Sequence, residues 1–370
     1  KMQAITFQQP YKVLVKTVPI PKILQDTDVI VKVCVSGLCG SDLHVYRGDE
    51  VGIDKDTIMG HEFMGIVNEI GSNVKDLKVG DRVLSPFSNC CGECFYCCRG
   101  ITSRCEKGQL FGCLKNGYGI HGGQAEYVRV PLASSTLVKI PEGISDNTAL
   151  LLCDVLCTGY FCAENGLNEL APQISYLKQY KLEYQKKDEY DDIVVVVVGC
   201  GPVGLMSIAS AIYLGVKTIY SIDSIQERLE IAKEFGATPI HLIDENPIEK
   251  IKEITNGRGA DIVLEAVGNL SSLDLSFKLL RPAGVLSSIG LNHSNTFPFN
   301  PNDGYHKNLK YISGRCPVRQ ILTKTIPFVL SKKFNFEKII THEMKLSDGE
   351  KAYEIFEKKL DKCVKVVFKK

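Results

Sequence analysis

At 370 residues, with 44 lysines and arginines against 43 aspartates and glutamates, the chain is long enough for two domains and nearly neutral. That balance argues against a broad basic surface for nucleic acid or for an anionic membrane, and it suits small neutral partners. Fifteen cysteines, an odd number with no signal peptide ahead of the first strand-like segment, point to reduced thiols in a cytoplasmic protein rather than to a disulfide framework.

In chain order, roughly the first 150 residues alternate β-branched runs with turn signals. Strands are predicted at Val29–Val35, Phe63–Ile70, Asp81–Leu84 and Ala125–Val130, the last closed by Pro131. The pattern suggests an antiparallel, partly barrel-like domain. Within it lie Cys39-Gly40-Ser41-Asp42-Leu43-His44, then Gly60-His61-Glu62, then a C-x2-C-x2-C-x7-C array formed by Cys91, Cys94, Cys97 and Cys105. Four thiolates so close in sequence can close a tetrahedral shell around one zinc ion, and a shell with no open position serves folding. Cys90 and Cys98 flank the array and leave a shifted register open. Closely spaced cysteines also occur in zinc modules that bind nucleic acid, but only Arg99, Arg104 and Lys107 lie nearby, too few for a basic face.

Between Glu164 and Asp192 a polar stretch rich in tyrosine and lysine reads as an insertion, expected as a solvated surface excursion. From Ile193 the texture changes. A buried strand ending at Val198, far too short to span a bilayer, runs into Gly199-Cys200-Gly201-Pro202-Val203-Gly204 and the apolar helix Val203–Leu214. Strand Thr218–Ile222 and helix Gln226–Phe235 follow, which is the βαβ rhythm of a parallel sheet. Further strands are predicted at Ile262–Glu265 and Gly284–Ile289. The tail carries a helix from about Gln320, an amphipathic segment near Asp348–Lys359 and a last strand, Val364–Phe368.

A glycine fingerprint that directly follows a strand and opens a helix puts backbone amides where they can hold a pyrophosphate. Gly199 and Gly201 permit the tight turn and close phosphate approach, and Gly204 lets the helix pack near the strand. Asp223, nineteen residues after Gly204, stands where a carboxylate bonds the adenosine ribose and repels a 2′-phosphate, which favours NAD over NADP. The same carboxylate could cap the next helix. Arg228 reads as an adenine-side neighbour or as a helix-surface cation.

Taken together, and with Gly122-Gly123-Gln124-Ala125-Glu126-Tyr127 and Thr158-Gly159-Tyr160, these motifs resemble the medium-chain zinc-dependent alcohol dehydrogenase family over nearly the whole chain apart from the insertion. Around Asp154 to Tyr160 and at Cys316-Pro317-Val318-Arg319 the sequence is most similar to the formaldehyde dehydrogenase-like branch. The resemblance implies an α/β fold: a GroES-like β-rich catalytic domain at 1–160 and a doubly wound, parallel-sheet Rossmann domain for NAD at 161–318, with the insertion at about 165–191. The segment 319–370 would complete the catalytic domain, with the active site in the cleft.

The resemblance also implies two zinc ions per chain, a structural one on Cys91, Cys94, Cys97 and Cys105 and a catalytic one with three protein ligands and an open position. Cys39 and His61 supply two of those three. In the family the third stands four residues before the threonine that touches the nicotinamide, so Thr158 points back to Asp154, with Cys153 and Cys157 as rivals. In isolation Cys39 would read as a small buried hydrophobe and His61 as a satisfied core histidine. Glu62 can approach the metal or hold a ligand, Asp42 can accept the free imidazole proton, and Ser41 with His44 matches the family's proton relay through the nicotinamide ribose. Thr158, Gly199, Gly201, Pro202, Val203, Gly204, Asp223 and Arg228 would serve the cofactor. The implied reaction is reversible hydride transfer between an alcohol or polyol and NAD, giving an aldehyde or ketone. Formaldehyde or another small aldehyde is the alternative substrate, and a dehydrogenase scaffold reused as a binding protein is the alternative of another class. A small alcohol or carbonyl is the expected partner, with no nucleic acid and no membrane, in a homodimer or homotetramer.

Overall fold

The computed structural model describes residues 1–179 and 192–369, and of 171–179 the backbone alone. Contacts divide the chain into two units, Lys1–Cys157 with Cys316–Lys370, and Thr158–Arg315. The first part of the expected insertion continues the helix Val155–Gln179, and 180–191 lies outside the described residues. Among the described residues no single helix is long and apolar enough to cross a membrane.

In the first unit the sheet is built on Val29–Leu38, a β-branched run long enough to take partners on both edges. Phe63–Ile70 lies antiparallel along one edge, with Val29 opposite Ile70 and Ser36 opposite Phe63. The other edge is shared: Tyr127–Val130 covers Val29 to Lys32, and the late strand Lys365–Lys369 covers Val35 to Leu38. The sheet continues through Arg82–Ser85 to Val138–Lys139 on one side and to Ile340–Lys345 on the other. Two register shifts in the central pairing, between Ile30 and Val31 and between Val33 and Val35, allow the sheet to coil.

Within the first 150 residues the paired strands run antiparallel, as expected, while the late segment adds Ile340–Lys345 and Lys365–Lys369, which run parallel to each other. Helix Gly349–Lys358 lies in the connection and supplies the crossover that parallel neighbours require. The strand expected to end at Val35 runs on to Leu38 because the late strand provides its ladder there. Ile5, Leu38, Leu43, Tyr353 and Phe368 share one core, so helix Gly40–Arg47 is held by residues from both ends of the sequence.

The second unit is a six-stranded parallel sheet in the spatial order Thr238–His241, Thr218–Asp223, Val194–Val198, Ala260–Glu265, Leu280–Ser288 and Lys310–Ser313. Numbered by sequence this is 3-2-1-4-5-6, the doubly wound order whose direction reverses between Val194–Val198 and Ala260–Glu265. Val196, Ile222, Val263 and Leu286 fill its core. The two edge strands, Thr238–His241 and Lys310–Ser313, fell outside the sequence reading; both are short and carry only one isoleucine amid polar or prolyl neighbours.

Candidate active site

Cys39 ends the central strand and caps helix Gly40–Arg47, where its N–H donates to Asp42 Oδ2 at 2.9 Å. His61 follows Gly60, whose φ of +86° turns the chain just before strand Phe63–Ile70. Asp154 stands one residue before helix Val155–Gln179. From these three places the chain brings Cys39 Sγ to 3.5 Å and His61 Nε2 to 3.3 Å of Asp154 Oδ2, with a Glu62 oxygen also within 4.8 Å of the others. Ligands of a tetrahedral zinc with bonds of about 2.0–2.3 Å sit roughly 3.3–3.8 Å apart, which these separations match.

The electrostatics favour a cation at the same point. Burial and the nearby acids Glu62 and Asp154 push the Cys39 thiol up, so a thiolate there needs an offsetting positive charge. Burial also works against a charged His61, yet Asp42, Cys39 and the hydrogen bonds to Asp154 and Asp42 raise its pKa well above the ordinary value. Asp42 Oδ1 lies 3.2 Å from His61 Nδ1, which keeps a proton on Nδ1 and leaves Nε2, facing Asp154, as the nitrogen that a bound cation would deprotonate and take as ligand. Glu62 is fully buried, accepts a bond from Lys365 Nζ on Oε2, and keeps Oε1 without a partner among the described residues. An orphaned carboxylate oxygen beside three donors suits a metal centre. The donor set, one thiolate, one imidazole and one carboxylate, is what a zinc with an open position takes.

Of the rivals for the third ligand, Cys153 Sγ donates to the Phe63 carbonyl at 3.1 Å and Cys157 Sγ meets Thr325 Oγ1 at 3.2 Å, so neither joins the cluster. Ser41 Oγ is 3.4 Å from both Cys39 Sγ and His61 Nε2, and His44, three residues on, pairs with Asp49 at 3.2 Å. Lys365, Gln124 and Tyr353 also belong to this region; none of them was given a role from the sequence, and Gln124 entered only within its glycine-rich motif. The one available signal was a lysine within the apolar run Val364 to Phe368.

A second cluster gathers Cys91, Cys94, Cys97 and Cys105, whose sulfurs lie within 4.8 Å of one another. Backbone amides face the sulfurs: Cys91 N–H donates to Cys105 Sγ at 3.2 Å and Cys94 N–H to Cys91 Sγ at 3.3 Å. Amides of Cys97 and Glu106 lower the Cys94 thiol to about 6, which favours the thiolate a metal binds. The shifted register finds no support. Cys90 is buried against the Ser135 carbonyl and pushed up to about 11, chiefly by burial, and Cys98 is exposed and bonded to the Glu93 carbonyl.

In the second unit Gly199 ends strand Val194–Val198 at φ +91°, and a Cβ there would fall 2.4 Å from Val267 Cγ2. Gly204 permits a closer approach still, since its Cβ would lie 1.8 Å from the Gly199 carbonyl oxygen. Gly201 caps helix Pro202–Tyr213 with no side chain, and Pro202 takes the first turn, so the remaining free N–H groups there face outward. Asp223 ends its strand with both oxygens engaged, Oδ2 by Cys200 N–H at 2.7 Å and Oδ1 by Ile225 N–H at 3.0 Å. It thus ties the glycine loop to the next helix, and each oxygen keeps a second lone pair. Arg228 reaches within 3.8 Å of the Gly201 Cβ position, and its buried Nε has no partner among the described residues. Thr158 opens this unit; a Cβ at Gly159 would meet Met206 and Ser207 at 2.6 Å, so the helix bearing Thr158 packs tightly on the phosphate-loop helix.

Two family models match the chain, an alcohol dehydrogenase GroES-like domain at residues 25–142 and a zinc-binding dehydrogenase at 202–331. Zinc-type alcohol dehydrogenase B of Aspergillus flavus is 42% identical over 100% of this chain and 81% of its own length. Among solved structures, alcohol dehydrogenase TADH from Thermus sp. ATN1 superposes with a TM-score of 0.87 at 35% identity, covering 99% of each chain. An E. coli protein described as short chain alcohol dehydrogenase (rspB), complexed with cofactor NADH, has a TM-score of 0.81 at 27% identity over 100% of this chain and 99% of its own.

Proposed function

The chain belongs to the medium-chain zinc-dependent alcohol dehydrogenase family and is an oxidoreductase acting on CH–OH groups; from that premise we propose that it passes hydride between a small alcohol and NAD at a zinc held by Cys39, His61 and Asp154. The observation that carries this reading is the trio of donor atoms on separate segments at tetrahedral separations. Bound there, zinc acts as a Lewis acid that makes an alcohol hydroxyl acidic near neutral pH and polarises a carbonyl in the reverse direction. NAD supplies the hydride acceptor.

The chain's own residues do the rest. Asp42 fixes the His61 tautomer, and Glu62, held by Lys365, keeps one oxygen free beside the ligand set. Ser41, 3.4 Å from two of the donors, takes up the alcohol's proton, and His44 with Asp49 delivers it to solvent. The glycine loop holds the pyrophosphate, Arg228 lies beside it, and the second lone pairs of Asp223 receive the adenosine ribose hydroxyls. Cys91, Cys94, Cys97 and Cys105 hold a second, structural zinc. We place the protein in the cytoplasm as a homodimer or homotetramer; all fifteen cysteines are free thiols, and Lys310–Ser313 leaves an unpaired sheet edge that a second copy can extend.

The decisive experiment combines metal analysis with NADH formation on a panel of alcohols, polyols and small aldehydes, formaldehyde included. Two zinc ions per chain and turnover of an alcohol are expected. At most one zinc with full activity would overturn the ligand assignment. Kinetics with NADP should be poorer than with NAD, and Asp223→Ser should narrow that gap by about tenfold, or 1.4 kcal/mol. Equal or better kcat/KM with NADP in the unmodified protein would show that Asp223 only braces the loop.

A further inference from the structure

Behind the catalytic ligands, Asp42 is joined by two buried polar groups that the proposed chemistry does not use. Gln124 is wholly buried, and its Nε2 donates to the Gly37 carbonyl at 2.9 Å and to Asp42 Oδ2 at 3.3 Å. Its Oε1 accepts from the hydroxyl of Tyr353 at 2.9 Å, and Tyr353 too is wholly buried, on helix Gly349–Lys358. Turning the amide over would set its oxygen against a carbonyl and a carboxylate, so one orientation alone satisfies every group. Asp42 spends Oδ2 on Gln124 and Cys39 N–H and presents Oδ1 to His61 Nδ1. Room for the amide depends on residue 60, since a Cβ on Gly60 would come within 2.4 Å of Gln124 Cγ.

We infer that Gln124 and Tyr353 are positioning residues for the catalytic metal centre. Tyr353 fixes the Gln124 amide, Gln124 fixes the Asp42 carboxylate, and Asp42 aims His61 Nε2 at the cation. With an orphaned amide or carboxylate in the chain, His61 gains alternative orientations and holds the metal less firmly. The inference rests on the reading of Cys39, His61 and Asp154 as zinc ligands.

Tyr353→Phe removes one hydroxyl with the ring left in place, and Gln124→Met keeps the shape without its donors and acceptor. Zinc content, zinc release to a chelator and melting temperature are followed for both variants and for the unmodified protein. The expected result is that the zinc whose loss ends turnover leaves about tenfold faster in each variant, as removal of partners behind a metal ligand commonly does. The other zinc is retained, and the melting temperature falls only modestly, by the cost of the hydrogen-bonding groups that each substitution leaves unpaired. Release at the unmodified rate in Tyr353→Phe overturns the inference, as does a joint loss of both zincs and of thermal stability, which marks a packing role. An unmodified protein that turns over fully with no zinc whose removal ends turnover overturns the ligand reading itself, before any variant is made, and the inference with it.

Discussion

The two clusters of the first unit are assembled in opposite ways. One takes four thiolates from the short stretch Cys91 to Cys105 and closes its shell with them. The other draws Cys39, His61 and Asp154 from distant segments and is braced by Asp42, Gln124, Tyr353 and Lys365. Closing a short loop costs little entropy, so the first cluster needs scarcely more than its own lobe, and a metal there contributes directly to folding. The second forms only within a finished sheet, and on the proposed reading its mixed donors would leave a position for a substrate. On that reading, sequence locality separates the site that would stabilise from the site that would react.

The hardest blow to this contrast comes from the lobe. Cys94→Ser or Cys97→Ser should forfeit much of the zinc-linked folding energy, which reaches about 10 kcal/mol or more in small zinc modules. Calorimetry should show a large fall in melting temperature, while the folded fraction keeps the other zinc and its kcat. An unchanged melting temperature would erase the distinction. Next comes His61→Ala, which should lower turnover by about a thousandfold or more, since Lewis-acid stabilisation is worth several kcal/mol. One zinc and a near-normal melting temperature should remain; substantial activity would contradict the assignment.

Lys365→Met sharpens the picture at the bracing level. Burial opposes the Lys365 ammonium, but Glu62 outweighs it and raises its pKa; burial and Asp154 push the Glu62 carboxyl up as well, and Lys365 is the main charge that draws it back. Removing the lysine strands a buried carboxylate at a cost of about 3–5 kcal/mol in denaturant unfolding, and adding Glu62→Gln should restore much of it. If the single and double variants unfold alike, the pair is not coupled. The smallest effects belong to Cys153→Ser and Cys157→Ser, which should keep both zincs and turn over, whereas Asp154→Ala should shed one. An active Asp154→Ala beside a zinc-depleted Cys153→Ser would reverse the choice of third ligand.

How far these features could be read from sequence follows the same division. The cysteine array, the glycine loop and the strand before it were legible because their meaning lies in spacing over a few residues. Asp154 needed the family's offset from Thr158, since Cys153 and Cys157 are equally plausible donors until Phe63 and Thr325 are seen to engage them. Lys365 gave only the signal of a lysine in an apolar run, and Tyr353 gave none: a lysine in a strand usually faces solvent, and a tyrosine on an amphipathic helix usually only packs. Their partners Glu62 and Gln124 lie hundreds of residues away, and nothing local encodes that meeting. The extension of the central strand to Leu38 and the parallel pairing of the expected last strand with Ile340–Lys345 escaped notice for the same reason.

The late strand Lys365–Lys369, laid against Val35 to Leu38, sets a timetable for synthesis. A ribosome delivers the cysteine lobe early, and that lobe can capture its metal on the nascent chain. Lys365 emerges 260 residues after Cys105, which at about 5–20 residues per second is a delay of tens of seconds. Until then Glu62 has no counter-ion, Gln124 has no tyrosine, and the strand leading to Cys39 has an open edge. The cysteine lobe can therefore close while the chain is still being made, whereas the surroundings of Cys39 are complete only after the late strand has docked.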